Sequence, residues 1–150
     1  NRSTGLQGWS IAQAALDAGA KTVLISTIGN RPLPYGTELV KVDNAQEMKD
    51  AVLKEVVDAD VLIMTAEVAD FKPAKSYTYK LKKEDDFAKI ELVPTEDILS
   101  HVAQQKVECQ NPKITIGFAS ESQNLLENAN IKLTSKNLDF IVAHHVTNEE

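Results

Sequence analysis

The chain of 150 residues carries 16 basic and 22 acidic side chains, a formal net charge of −6, with 43% hydrophobic residues. That length supports one domain with a substantial core, and the acidic balance excludes the broad basic face that non-specific nucleic-acid binding needs. Aromatics at 5% leave no platform for stacked bases, so any anion site has to be local.

No apolar run approaches a membrane span and no charged, apolar, small-residue leader opens the chain, so the sequence reads as cytoplasmic. Cys109 is the single cysteine, which excludes an internal disulfide, and it stands in no reactive motif.

In chain order, Asn1 to Gly8 heads a helix predicted over 6–18, with Ser3 and Thr4 as caps, Trp9, Ala12 and Leu16 on one stripe and Gly19 as its stop. The free N–H groups at that end suit phosphate or carboxylate; a plainly capped helix start is the alternative. A domain opening at such a loop, and ending abruptly at Glu150, leads to the expectation that a first strand, its glycine-rich turn and a C-terminal end lie outside these residues. Thr22 to Ser26 reads as a buried strand, 29–36 as a loop, and Glu38 to Val42 as an alternating strand. Asn44 caps a helix with the stripe Met48, Val52 and Val56.

Val61 to Met64 is a continuous apolar run, the mark of a central parallel strand buried on both faces. Residues 73–86 show no helical stripe and read as a flap, Lys89 to Val93 as a strand, and Thr95-Glu96-Asp97 as the start of a helix containing Ile98, Leu99 and Val102. Ile114 to Phe118 is a strand, Leu125, Ala129 and Leu133 form a helical stripe, and Phe140 to Ala143 is the last strand. The alternation predicts one α/β domain over 1–150: a Rossmann-like, doubly wound parallel sheet with helices on both faces.

Chemistry is expected where the chain leaves the strand at Val61, because open α/β sheets hold ligands at the carboxyl ends of their strands. Asp70 there suits a ribose hydroxyl, a base amino group, a metal, or only a turn; Glu67 is closer to the strand, where burial needs a partner. Lys80, Lys82 and Lys83 suit a triphosphate, or are a solvated run beside Glu84, Asp85 and Asp86. Lys132 and Lys136 share a helix face at i,i+4, a mild repulsion that a polyanion would relieve. Phe118 reads as core or as packing for a base. His144 and His145, adjacent on a strand, point to opposite faces and do not share a metal; no metal-ligating set is expected.

Together NRSTG at 1–5, MTAEVADFKP at 64–73, KLKK at 80–83, TEDIL at 95–99, GFASES at 117–122, NLLENANIKL at 124–133 and NLDFIVA at 137–143 resemble phosphopantothenate–cysteine ligase, the phosphopantothenoylcysteine synthetase of coenzyme A biosynthesis. The resemblance implies that 4′-phosphopantothenate is activated by CTP as an acyl-cytidylate, with Mg²⁺ held by the phosphates, and that cysteine then displaces CMP. It implies that Asn1 holds the acyl intermediate and Lys80 contacts the triphosphate, both as catalytic residues. It implies a nucleotide site made by Met64, Thr65, Ala66, Asp70, Lys80, Glu96, Asp97, Ile98, Leu99, Phe118, Lys132 and Lys136. It also implies a homodimer in which the flap of one subunit reaches its neighbour's site. The chain departs from the family pattern at Leu6 and Gln7, where lysine and methionine are usual, at Glu67 in place of alanine, in TEDI for NPDI, and at His144 and His145 in place of asparagine and aspartate.

Two other classes fit parts of the chain. Thr4 to Gly8 is a small glycine loop and Tyr79 to Lys83 fits YxxxK, as in a short-chain-dehydrogenase-like NAD(P) oxidoreductase, although that pair belongs on a helix. Glu67 and the two histidines suit a catalytically inactive nucleotide-binding module.

Overall fold

Four helices alternate with strands through residues 4–80 and 89–145, the part of the chain that the computed structural model describes. Helix α1 (Leu6–Asp17) buries Trp9 and Ala12 as the stripe predicts. At its start Gly5 holds the N-cap position at φ 70°; of the two hydroxyls expected to cap it, Thr4 accepts the Leu6 N–H and Ser3 lies outside the described residues. A Cβ on Gly5 would sit 3.1 Å from Ile28 Cγ1, so both the left-handed backbone and the close approach call for glycine. The Leu6 N–H lies 3.4 Å from Thr4 Oγ1. Gly19, at φ 87°, stops the helix as expected.

Strands β1 (Val23–Ser26) and β2 (Glu38–Lys41) pair in parallel. Asn44 Oδ1 accepts the Glu47 N–H at 3.0 Å and Glu47 Oε2 accepts the Asp43 N–H at 2.8 Å, which starts helix α2 (Ala45–Glu55). The chain continues through β3 (Val61–Met64), β4 (Phe71–Pro73), β5 (Leu92–Pro94), α3 (Ile98–Cys109), β6 (Ile114–Glu121), α4 (Leu125–Ser135) and β7 (Phe140–His145). β3, β6 and β7 form a parallel sheet in that order, separate in hydrogen bonding from the β1–β2 pair.

The strand predicted from Lys89 is shorter and later: β5 starts at Leu92 and closes an antiparallel ribbon with β4, Phe71 opposite Pro94. The flap predicted over 73–86 is non-helical through residue 80, and the remainder lies outside the described residues. Strand β3 also differs from its expected place. β6 is the middle strand of the three, and Val61 and Ile63 are 46% and 37% exposed. The cause is one-sided packing. Met48 and Val52 of α2, Val56 at its C-cap, and Ile98, Leu99 and Val102 of α3 cluster on Met64 and Leu138, with Leu62, Leu133 and Ile141 against them. The strand register puts Val61, Ile63, Ile114, Phe140 and Val142 on the other face, where all are exposed among the described residues. Helices do lie on both sides at β1: a Cβ on Gly8 of α1 would be 3.9 Å from Leu24 Cδ1, whereas Ile25 packs on the α2 cluster.

Two details hold the buried side together. A Cβ on Gly117 would meet Leu138 Cδ1 at 2.6 Å, so the absent side chain is what lets buried Leu138 settle on β6. Asp139 accepts the Thr115 N–H at 2.7 Å and the Lys106 ammonium at 3.2 Å, joining β6, α3 and the approach to β7. The Thr115 N–H is the chief reason its carboxyl sits below the ordinary carboxylate range; slight burial opposes this and Lys106 reinforces it.

Gly117→Ala is expected to destabilise the fold by about 1–3 kcal/mol through overpacking, read as a lower urea midpoint with unchanged slope. Because the Asp139 carboxyl is depressed, its contribution is present above about pH 4 and is lost as pH falls through the folded value. Asp139→Asn should therefore flatten the acid limb of a stability–pH curve below about pH 4, and an unaltered limb would show that Asp139 does not set it.

Candidate functional site

At the carboxyl end of β3 a cavity of about 440 Å³ opens between three walls, within the size range of small-ligand sites. Met64, Ala66, Val68, Ala69 and Asp70 line the side where the chain leaves the strand. The turn into α3 supplies Thr95, Glu96, Asp97, Ile98 and Leu99; α4 supplies Asn128, Ile131, Lys132, Ser135 and Lys136. Parallel strands leave a sheet at one common edge, so the ends of β3 and β6 bring these segments together across long sequence separations.

Asp97 is the N-cap of α3: its Oδ1 accepts the Ser100 N–H at 2.8 Å. Its other carboxylate oxygen pairs with Lys136 of α4. Burial pushes the Asp97 carboxyl up, but Lys136 and the Ser100 N–H together outweigh it and hold the group below its ordinary range. Glu96 pairs with Lys49 of α2, whose side chain is only 13% exposed, and His101 Nε2 lies 3.5 Å from the same carboxylate. Lys49, by hydrogen bond and by charge, is the main cause of a lowered Glu96 pKa. Lys132 donates to the Phe118 carbonyl at 2.5 Å. Each acid of the turn thus has its own lysine, and Lys132 rests on a neutral oxygen.

Of the residues expected to bind nucleotide, Met64, Ala66, Asp70, Glu96, Asp97, Ile98, Leu99, Lys132 and Lys136 all line the cavity. Thr65 is turned toward α1, with Oγ1 3.4 Å from the Cβ position of Gly8. Phe118 is not among the lining residues: its carbonyl accepts from Lys132, and its side chain shares a sheet face with Val142, away from buried Ala119. Lys80 is exposed and is not among the lining residues. Asn1, Lys82 and Lys83 lie outside the described residues.

Asn128, Ile131 and Ser135 were not singled out from the sequence. The signal was present: 128, 132 and 136 repeat at i,i+4,i+8, with 131 and 135 between them on the same helix face. Asn128 is oriented by Glu121, its Nδ2 donating to Oε2 at 2.9 Å. Lys49 carries no signal, because only folding brings α2 to the α3 turn, whereas His101 stands one helical turn from Asp97 on α3 itself. His144 Nε2 is 3.0 Å from Ser120 Oγ on the neighbouring strand. Tyr79 lies on no helix and stands edge-on to Tyr77 with ring centres 5.6 Å apart, unlike a YxxxK pair. Among the described residues no group of three or more His, Cys, Asp or Glu is placed to hold a metal ion, and no helix is long and apolar enough to cross a membrane.

The fold and cavity define the class: an α/β domain with an acid- and lysine-lined hollow at the carboxyl edge of its parallel strands. The model of the DNA/pantothenate metabolism flavoprotein C-terminal domain matches residues 1–150, and the chain belongs to that family. It is 41% identical over 147 residues to the coenzyme A biosynthesis bifunctional protein CoaBC of Bacillus subtilis (strain 168), covering 97% of this chain and 35% of that protein. With CoaBC of Vibrio vulnificus (strain YJ016) the identity is 38% over 151 residues, 99% of this chain and 37% of that one. The chain therefore spans little more than a third of the length of these relatives. The crystal structure of a CoaBC C-terminal domain superposes with a TM-score of 0.79 at 35% identity, over 95% of this chain and 65% of that one. A DNA/pantothenate metabolism flavoprotein from Streptococcus pneumoniae shares the fold, with a TM-score of 0.76 at 24% identity over 100% and 73% of the two chains. The resemblance carried by the sequence motifs is borne out at the level of the family.

Proposed function

We propose that this chain is the ligase domain of a coenzyme A biosynthesis enzyme, joining 4′-phosphopantothenate to cysteine through an acyl-cytidylate formed from CTP. The observation that carries the reading is the cavity itself: Asp70, beyond the carboxyl end of β3, lines the same hollow of about 440 Å³ as Lys132 of α4 and Lys136 at its end. A neutral or cationic ligand has no use for two lysines at i,i+4, whereas a nucleotide presents a polar sugar and base at one end and phosphates at the other. The homology to CoaBC supports the pathway.

In the first half-reaction a carboxylate oxygen of 4′-phosphopantothenate attacks the α-phosphorus of CTP, and the bond to the bridging oxygen breaks to release pyrophosphate. In the second, the cysteine amine attacks the acyl carbon, CMP leaves with the bonding pair, and the amine loses a proton. Asp70 and the backbone at Met64, Thr65 and Ala66 hold the cytidine; Lys132 and Lys136 offset charge on the phosphates as it shifts to the leaving group. Asn1 is assigned to the acyl intermediate and Phe118 to the nucleotide pocket through its carbonyl. The turn carboxylates are taken by lysines and the described residues make no metal cage. Mg²⁺, when bound with the nucleotide, would be held by the phosphate oxygens and would offset their charge.

Lys80 is assigned to the triphosphate of a neighbouring subunit, in a homodimer whose β4–β5 ribbon reaches across. Phe71 and Leu92 on that ribbon, with Tyr79 and Ile90 in the segments beyond it, are 60%, 56%, 63% and 76% exposed and give an apolar surface suited to a partner. Small-molecule substrates, a second copy of the chain and a cytoplasmic setting complete the reading.

CTP is expected to raise the unfolding temperature and NADPH to leave it unchanged, with about 2.7 kcal/mol of stabilisation at a hundredfold excess over Kd. Pyrophosphate release from CTP and 4′-phosphopantothenate should be lost in Lys80→Gln. It should return on mixing with Lys136→Gln subunits, because one site of the hybrid dimer regains both lysines. Stabilisation by NADPH alone would replace the ligase reading with the dehydrogenase one.

A further inference from the structure

Lys132 and Lys136 are one turn apart on the same wall of the cavity, yet they rest on different acceptors. Lys132 donates to the neutral Phe118 carbonyl and, among the described residues, pairs with no carboxylate. Lys136 crosses to the opposite wall and pairs with the Asp97 carboxylate. That carboxylate is held in place. Its Oδ1 accepts the Ser100 N–H at 2.8 Å, and the carbonyl of the same residue accepts the His101 N–H at 3.2 Å and lies 2.8 Å from His101 Nδ1. The lysine, on a four-carbon stem, is the partner that can move.

We infer that Asp97 is a positioning residue for Lys136, the counter-ion from which a bound polyphosphate draws the lysine and to which the lysine returns when pyrophosphate leaves. The inference rests on the nucleotide reading of this cavity and adds to it the release step. A lysine with no resting partner would bind polyphosphate more tightly and hold the product longer. With Asp97 opposite, taking Lys136 costs the ligand an existing ion pair. Lys136 and Asp97 side chains are 28% and 41% exposed, so that pair is of surface strength. Lys132 carries no such cost and acts as the standing charge.

Asp97→Asn tests this cleanly, because asparagine caps a helix about as well as aspartate and the start of α3 is retained. Calorimetric titration and stopped-flow dissociation with inorganic pyrophosphate are the measurements. The variant is expected to bind pyrophosphate about two- to fivefold more tightly, mostly through slower dissociation. In a Lys136→Gln background the same substitution should change nothing. Unchanged or weaker binding in Asp97→Asn, or an equal gain without Lys136, would overturn the inference and leave the nucleotide reading standing. A wild-type protein that binds neither pyrophosphate nor CTP would remove both.

Discussion

The packing of α2 and α3 on the carboxyl end of β3 is the contact on which the rest depends. Val52, Val56 and Val102 are all but fully buried there, with Met64 beneath them. Met64 belongs to this core and also lines the cavity, so the last residue of the strand cannot shift without moving the site. Rigid strand ends followed by short departures are what let an open α/β sheet place functional groups at one edge. Here Asp70 follows within six residues of the strand end, and the antiparallel ribbon that begins at Phe71 fixes the direction of departure.

Around that frame, charge is distributed in pairs rather than in a block. Lys49 with Glu96, Lys106 with Asp139 and Lys136 with Asp97 each join segments far apart in sequence, and each lowers the pKa of its acid. Exposed pairs of this kind contribute little to stability individually. Their effect is geometric: α2, α3 and α4 are tied at the polar rim where apolar packing has ended. The acidic total of the chain and a lysine-lined hollow are thus compatible, since the local sign of the site is set by which lysine has a carboxylate partner.

Much of this architecture was legible in the sequence. Period-two and period-3.6 patterns gave most elements, and the spacing of Lys132 and Lys136 pointed to one helix face that does line the cavity. The failures have physical causes. The N-cap position of α1 goes to Gly5 rather than to Thr4, because close contact with Ile28 selects a left-handed glycine there. β3 was read as buried on both faces because the composition of a strand does not report which helices cover it. β5 begins three residues late because its partner, the short β4, dictates the register. Lys49 carries no signal because it lies 47 residues from Glu96 in sequence, whereas His101 stands within one turn of Asp97 on α3 but outside the family motifs.

The five exposed apolar side chains on the far face of the β3–β6–β7 sheet, from Val61 to Val142, have a calorimetric consequence. The heat-capacity rise on unfolding measures apolar surface newly given to water. These side chains are already hydrated in the folded state, so they add little to it. Melting of these 150 residues should accordingly show less curvature in free energy against temperature than their number implies. Whatever comes to rest on that face would restore the curvature, with a negative heat-capacity change of its own on association.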